Sequence, residues 1–528
     1  MSKKQVIIIG AGPCGLGAAY RFEELLQQYK LDNIDYTVVD SAADEGGLAR
    51  TVRDDNGFLW DMGGHVIFSH YKYFTDLLSE LVPNDQWNIL QREAWVYMRN
   101  NYIPYPLQQN IHRLPANEII QCIDGLIQNE SNKHKYCKPC NFDEWLQQSF
   151  GAGLCDIFMR PYNCKVWAYT TDKMNVEWMG ERVATINTTR IIENIILQRD
   201  ELGWGPNNIF RFPKHGGTGS IWTALYNTLP KHKFQFNKHV MHIDSLNKLI
   251  TYTDHTTMKY DELISTMPLD KLITCAHNLS IPRNQLHDAS KLFKYSSSHI
   301  IGFGLSGQPS NELRTKCWLY YPESNCPYYR VTIFSNYSSS HVPSPNTQWS
   351  IMCEVSESCD KPVNVDTIVQ EAEQGLRNTK LIDDSIEILS RYHTRLEYGY
   401  PTPFVGRDEL CTPLFAELES HHIYSRGRFG AWKYEVSNQD HSLMQGVECV
   451  DRILFGTDEP TFKTPNIVNS KTDKLINSRT PYIFFKRPQS ILNNNNKPQL
   501  IDILAARAEK HLYVEEHKSP MPCHLNGK

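Results

Sequence analysis

The 528-residue sequence predicts a mixed fold, α/β combined with α+β. A parallel-sheet layer is interrupted by a helical insertion and joined to an antiparallel sheet. Three observations predict it. Residues 5–29, QVIIIGAGPCGLGAAYRFEELLQQY, read as strand, glycine turn and helix, and 35–41, DYTVVDS, as a second strand. From about Leu107 to Gln198 the apolar spacing becomes helical. From Ser297 to Arg395 long β-branched and aromatic runs alternate as in antiparallel strands.

The elements follow in order. ANEIIQCIDGLIQN, FDEWLQQSFG and GLCDIFMRPYNCKVW carry the helical period of the insertion. From Phe212 to about Lys291 the α/β pattern returns: KHGGTGSIWTALYNTL opens a helix from a glycine turn, HVMHIDSLNKLITYTD is a hairpin, and DELISTMP a short strand. HIIGFGLSG, CWLYYP, YYRVTIFSNYS and QWSIMCEVS are the antiparallel strands. NQDHSLMQGVECVDRIL is a last strong helix, with Ser437 or Asn438 able to cap it. Beyond Phe455 the asparagine run at 493–496 and several prolines predict a poorly ordered tail, in which 498–514 has amphipathic spacing.

Composition sets limits. Apolar residues are 41% and charged residues 21%, ordinary for a globular protein, and the formal net charge is −5. Nucleic-acid binding needs a dense basic stripe, and none appears. No apolar run is long enough to cross a bilayer, so no membrane partner is expected. Lys3 and Lys4 before an apolar run mimic a secretory leader, but Gly10, Gly12, Pro13, Gly15 and Gly17 make that run a poor leader and a good phosphate loop. Fourteen scattered cysteines fit a reducing cytosol, hence a cytoplasmic location. Cys137 and Cys140 have redox or half-zinc spacing without a second pair, and read as two loop thiols. No metal site is expected. The oligomeric state is left open.

Gly10-Ala-Gly12-Pro13-Cys14-Gly15 lies between a strand and a helix, where glycines let the backbone close on a pyrophosphate at the positive helix end. Asp40 ends the next strand, where a ribose hydroxyl acceptor belongs. Loop and acid together predict a Rossmann-like dinucleotide site; a plain glycine turn leaves the acid unexplained. NAD and FAD both fit so far. Gly46-Gly47, Leu48 and Thr51 behind Ser41 add a second glycine backbone segment, an arrangement that resembles the FAD proteins of the glutathione-reductase and amine-oxidase group. The hairpin from Val240 fits the same group. Near the other end, Arg428, Asn438, Gln439 and Ser442 surround a helix start whose partial positive charge favours an anionic reduced ring. Gly63, Gly64 and His65 end a strand-like run, which predicts that this backbone lies flat against the flavin with His65 at its reactive face. The bland reading of His65 is a satisfied core histidine.

Arg182 lies in an expected loop, and Arg330 on an aromatic strand. Each alone reads as a solvated charge. With Tyr320, Tyr337, Tyr400 and Tyr434 they form a candidate diphosphate clamp, since guanidinium forks match phosphate oxygens.

MGGHVIFSHYKYF, MRPYNCKVWA, GERVA, WGPNNIFRFP, GGTGSIW, CWLYYPESNCPYYRVTIFSNYS, YGYPTP and SRGRFGAWKYEVSNQDHS together resemble the eukaryotic UDP-galactopyranose mutases, colinearly from about residue 5 to 455. The resemblance implies an FAD-dependent isomerase that interconverts UDP-galactopyranose and UDP-galactofuranose for glycan or cell-wall synthesis. Reduced flavin N5 attacks the anomeric carbon and UDP is the leaving group. It implies NADPH or NADH as reductant. It implies that Arg182 and Arg330 hold diphosphate and sugar. Tyr320, Tyr400 and Tyr434 bind phosphate. Tyr105, Gln108 and Phe158 line a uridine pocket, while Asn163, Trp167, Asn207 and Trp318 surround the sugar. GERVA and WGPNN are expected flaps. On this view residues 1–105, 212–290 and 425–460 form the FAD-binding domain. Residues 106–211 form the helical uridine-binding and flap domain, 291–424 the antiparallel substrate domain, and 461–528 a tail of unassigned role. The competing expectation is an FAD-dependent amine or protoporphyrinogen-type oxidase, which needs an apolar tunnel in place of the arginine clamp. A binding protein that keeps the fold without activity is the third reading.

Overall fold

The computed structural model describes residues 3–29, 33–202, 204–205 and 208–470. The amphipathic stretch at 498–514 and Asn207 lie outside them.

The strand Lys4–Ile9 is buried along its apolar run and pairs in parallel on both sides, with Ile34–Val39 and Glu262–Ser265. Phe234–Gln235 and Ile423–Ser425 complete a five-stranded parallel sheet drawn from distant parts of the chain. Pro13 opens the helix Pro13–Tyr29, where its missing N–H costs nothing. The last helix, Gln439–Phe455, packs along it and ends at Gly456 in the left-handed region. Its Leu443, Met444 and Val447 are buried, each contributing about 1.5–3 kcal/mol of apolar transfer. The predicted hairpin is present, as Val240–Asp244 with Leu249–Tyr252 in a four-stranded sheet.

The second sheet has seven strands and departs from the expectation in one pairing. Tyr295–Ser306, Gln348–Glu357, Arg330–Ile333 and Trp318–Tyr320 are antiparallel neighbours, and Ile388–Pro401 covers the far edge. Trp318–Tyr320, however, runs parallel to Ala94–Met98, whose hairpin partner Asn101–Pro104 closes the sheet. Residues 94–104, grouped by sequence with the first layer, therefore belong to this sheet.

The insertion contains the helices Ala116–Asn132, Phe142–Leu154, Arg160–Trp167 and Thr188–Leu197. A π-turn at Cys155–Met159 carries Phe158. Gly180–Arg182, expected as a loop, is a single 3₁₀ turn.

The tail begins later than the composition indicates. Pro460–Lys463 and Pro465–Val468 are short helices, with Thr461, Phe462 and Val468 buried. Glu459 is fully buried and paired with Arg426, also fully buried, and with Arg452. Charge pairing, which local composition does not reveal, docks this segment. No helix among the described residues is long and apolar enough to cross a membrane.

Candidate active site

Gly10 and Gly12 stand at the end of the first strand. A Cβ on Gly10 would lie 1.9 Å from Thr266 Oγ1, so the protein's own packing requires that glycine. A Cβ on Gly12 would meet only Gly47 Cα at 3.8 Å and Gly46 O at 4.0 Å. The second glycine pair thus lies against the first loop, tied by Gly46 N–H to the Ala11 carbonyl at 2.9 Å. Asp40 closes the arrangement, accepting from Ala11 N–H at 2.6 Å and Ala42 N–H at 2.8 Å. Ser41 is exposed; Leu48 is half-buried in the 3₁₀ turn Gly47–Ala49, and Val240 half-buried at a strand start. Cys14 is buried, which pushes its thiol up to about 12.

Gly63 has φ +140°, open only to glycine. Gly64 is required by the protein's own packing. A Cβ there would sit 2.7 Å from Thr332 Oγ1 and 3.0 Å from both Glu354 Oε1 and Trp318 Nε1. The glycine pair is therefore pressed against the antiparallel sheet. The Gly64 N–H donates to Glu354 Oε1 at 3.0 Å.

Glu354, missed by sequence reasoning, organises this corner. It is 2% exposed and accepts from Arg330 Nε at 2.7 Å, Arg330 Nη2 at 2.8 Å and the Tyr329 hydroxyl at 2.8 Å. Burial by itself would raise its carboxyl, but Arg330, the Tyr329 hydroxyl and the Gly64 N–H together hold it below the ordinary value. Burial likewise opposes the Arg330 charge, and Glu354, with Tyr400 and Tyr329, more than offsets it. The signal was a lone acid inside the apolar strand QWSIMCEVS, which needs a buried partner.

His65 is half-buried, and its Nδ1 is buried without a hydrogen-bond partner among the described residues. Burial pushes its pKa down to about 4; Arg428 and Arg330 add to that and Glu354 opposes it. The ring is neutral at pH 7.

Arg182 lies 4.6 Å over the Tyr434 ring, donates to the Glu435 carbonyl at 2.9 Å, and reaches Asn438 Oδ1 at 3.4 Å. Asn438 occupies the N-cap position of the last helix, but its side chain does not cap it. It faces Arg182 instead, and Ser442 N–H bonds back to its carbonyl at 2.8 Å. Gln439 Oε1 accepts from Trp222 Nε1 at 2.8 Å. Arg428 lies 4.8 Å over Tyr400, held by the Gly399 carbonyl and by Ser437.

The aromatic residues converge. Trp167 is 4.7 Å from Tyr434 and 5.9 Å from Tyr400. Tyr320, directly across from Arg330 in register, is 4.9 Å from Tyr105 and 5.6 Å from Tyr162, which stacks on Phe158 at 5.2 Å. Arg330 stands 5.3 Å over Trp318, whose Nε1 has no partner among the described residues. Gln108 donates to the Ala184 carbonyl at 2.9 Å and leaves Oε1 buried and unpartnered. Asn163 donates to the Met159 carbonyl at 2.8 Å. Tyr337 stands apart: fully buried, its ring packs on Phe210 and Phe212 at 5.2 and 5.1 Å.

A family profile of flavin containing amine oxidoreductases matches residues 13–408. A solved structure of a reduced UDP-galactopyranose mutase superposes with a TM-score of 0.84 at 46% identity, covering 89% of this chain and 99% of that one. The chain belongs to the UDP-galactopyranose mutase family. A putative protoporphyrinogen oxidase from Exiguobacterium sp. 255-15 shares the fold, with a TM-score of 0.64 at 16% identity over 86% of this chain and 99% of that one. The curated protoporphyrinogen oxidase 2 of Arabidopsis thaliana is 26% identical over 173 residues, which is 31% of this chain and 32% of that protein, so the match spans about a third of its length.

The mutase family implies a bound FAD, and the residues fit one. Gly12 keeps a backbone face clear of side chains beside a helix N-terminus, Asp40 is fixed against that loop, and the unpartnered His65 Nδ1 and Trp318 Nε1 lie at the sheet end. Gly10, Gly12, Gly47, Asp40 and the start of the last helix are the residues that would hold it.

Proposed function

We propose that this protein interconverts UDP-galactopyranose and UDP-galactofuranose on a reduced FAD, with NADPH or NADH as the reductant and a place in cytoplasmic glycan synthesis. One observation carries the reading: Arg330 and Arg182 rise from a floor of Trp167, Tyr320, Tyr400 and Tyr434 beside the Gly63-Gly64-His65 turn. An apolar oxidase tunnel has no use for those charges.

Reduced flavin, when bound, supplies an electron-rich nitrogen that displaces UDP from the anomeric carbon. The chain's own residues hold UDP. Arg330 presents its remaining guanidinium edge to the diphosphate while Glu354 fixes its plane. Arg182 supplies a second fork, and the Tyr320, Tyr400 and Tyr434 hydroxyls supply uncharged donors. Holding the leaving group in place keeps its return intramolecular, which is why binding strength contributes to turnover. Gln108, through its unpartnered carbonyl oxygen, and Tyr105 and Phe158 receive the uracil; Asn163 and Trp318 border the sugar. Neutral His65 supports the cofactor face and does not act as an acid at pH 7. Residues 180–184 act as a flap.

The test is anaerobic incubation of dithionite-reduced protein with UDP-galactofuranose, followed by chromatography. The proposal expects UDP-galactopyranose from reduced protein and none from oxidised protein. Stoichiometric oxidation of an amine or a porphyrinogen, without isomerisation, contradicts it.

A further inference from the structure

The 3₁₀ turn Tyr434–Val436 lies between the aromatic floor and the last helix, and the docked segment that ends at Ser470 reaches it through Asn469. We propose that Asn469 is a positioning residue that sets the seat of Arg182. The assignment rests on the reading of Arg182 as a diphosphate ligand.

Every hydrogen bond that the Arg182 guanidinium makes among the described residues goes to Glu435 or Asn438. The shortest runs from Nη2 to the Glu435 carbonyl at 2.9 Å. Its Nε is buried and has no partner among the described residues, which leaves a donor for a phosphate oxygen. The Glu435 carbonyl also accepts from Asn469 Nδ2 at 2.8 Å. The Glu435 side chain is engaged elsewhere: its carboxylate pairs with both Nη atoms of the buried Arg407, at 2.8 and 2.9 Å. That pair anchors the side chain and leaves the tilt of the peptide unset. A carbonyl oxygen has two lone pairs. Asn469 takes one, and the other is thereby aimed at Arg182.

The amide is itself locked. Asn469 Oδ1 lies 3.0 Å from Nε2 of His441, a fully buried ring in the first turn of the last helix. Because the nitrogen end donates to Glu435, the oxygen end accepts, and His441 carries a proton on Nε2. Docking of the segment does not need this amide. Glu459 pairs with Arg426 and Arg452, the Thr461 N–H and hydroxyl bond Glu448 at 2.9 and 2.7 Å, and Lys433 donates to the Phe462 carbonyl at 2.8 Å. Asn469 stands at the other end of the segment, half-buried, just past the short helix Pro465–Val468. Its two bonds tie the last helix to the turn that holds Arg182. The docked segment thus reaches the diphosphate clamp through a single carbonyl.

The test titrates UDP against flavin absorbance in the full-length FAD-bound protein, with FAD content and thermal midpoint measured on each preparation. Asn469→Asp keeps the shape and the acceptor for His441 but loses the donor to Glu435. It and Asn469→Ala are expected to raise Kd for UDP about 3–10-fold at unchanged FAD content. Ser470→Ala, one residue on, is expected to leave Kd unchanged. In an Arg182→Ala background the Asn469 substitutions are expected to add little, since they act through the guanidinium. A lowered thermal midpoint with Kd unchanged is the mark of a purely structural role and overturns the proposal. Strict additivity with Arg182→Ala overturns it too, as does an equal loss in Ser470→Ala. Wild-type protein that binds no UDP removes the reading of Arg182 and this assignment with it. A measurable wild-type Kd that the Asn469 variants share overturns the assignment alone.

Discussion

Arg330 and Glu354 are direct partners across neighbouring antiparallel strands, and the same carboxylate holds the backbone N–H of Gly64. One buried acid therefore sets both the angle of the candidate diphosphate arginine and the position of the turn that leads to His65. Removing either partner leaves a buried charge uncompensated, which costs more than the pair itself contributes.

Glu354→Gln keeps the shape but loses the charge. It is expected to lower kcat/KM by about 1.5–3 kcal/mol of transition-state stabilisation. Arg330→Ala is expected to do the same. Because the two act as one unit, the double variant falls well short of the summed losses. Steady-state kinetics on the three proteins check this; strict additivity counts against it.

Arg182→Lys keeps a cation but loses the planar fork that spans Glu435, Asn438 and the Tyr434 face. KM for the UDP-sugar is expected to rise about tenfold, matching about 1.4 kcal/mol. Titration of UDP against flavin absorbance reads the same loss without turnover.

His65→Ala is expected to retain FAD, because the glycine loop and Asp40 lie on a different sheet. Turnover falls on the order of 10²-fold through a displaced cofactor face. Flavin content and turnover measured on one preparation separate the two effects, and a colourless variant contradicts the assignment.

His341 is fully buried, its Nδ1 bonded to the Phe334 carbonyl at 2.8 Å, and burial pushes its pKa down to about 4. The unfolded chain binds a proton there below about 6.5, while the folded chain does so only below about 4. Stability therefore falls as pH drops through that window, by on the order of 3 kcal/mol from this group. Urea unfolding midpoints at pH 7.5 and pH 4.5 report the loss. His341→Gln is expected to reduce the difference, leaving the part that His65 contributes through its own lowered pKa.

The parallel layer was legible because its signals are local: an apolar run, Gly10 to Gly15, and Asp40 one strand later. So was the identity of most aromatic residues, once the motifs were read together. Four features were not legible. Glu354 needs the register of two strands before its partner is known. The parallel pairing of 318–320 with 94–96 joins residues more than two hundred apart, and hydrophobic alternation carries no information on strand direction. The Asn438 side chain follows a tertiary partner, Arg182, rather than the local cap rule, and the docked 460–470 segment follows the buried Glu459, which pairs with the buried Arg426 and the half-buried Arg452.

The most direct test is a crystal soaked with UDP under dithionite. Arg330 and Arg182 are predicted within hydrogen-bond distance of the diphosphate, with uracil between Phe158 and Gln108 and the open side facing the flavin. A diphosphate bound elsewhere, with both guanidinium groups still turned to Glu354 and Glu435 alone, contradicts the account.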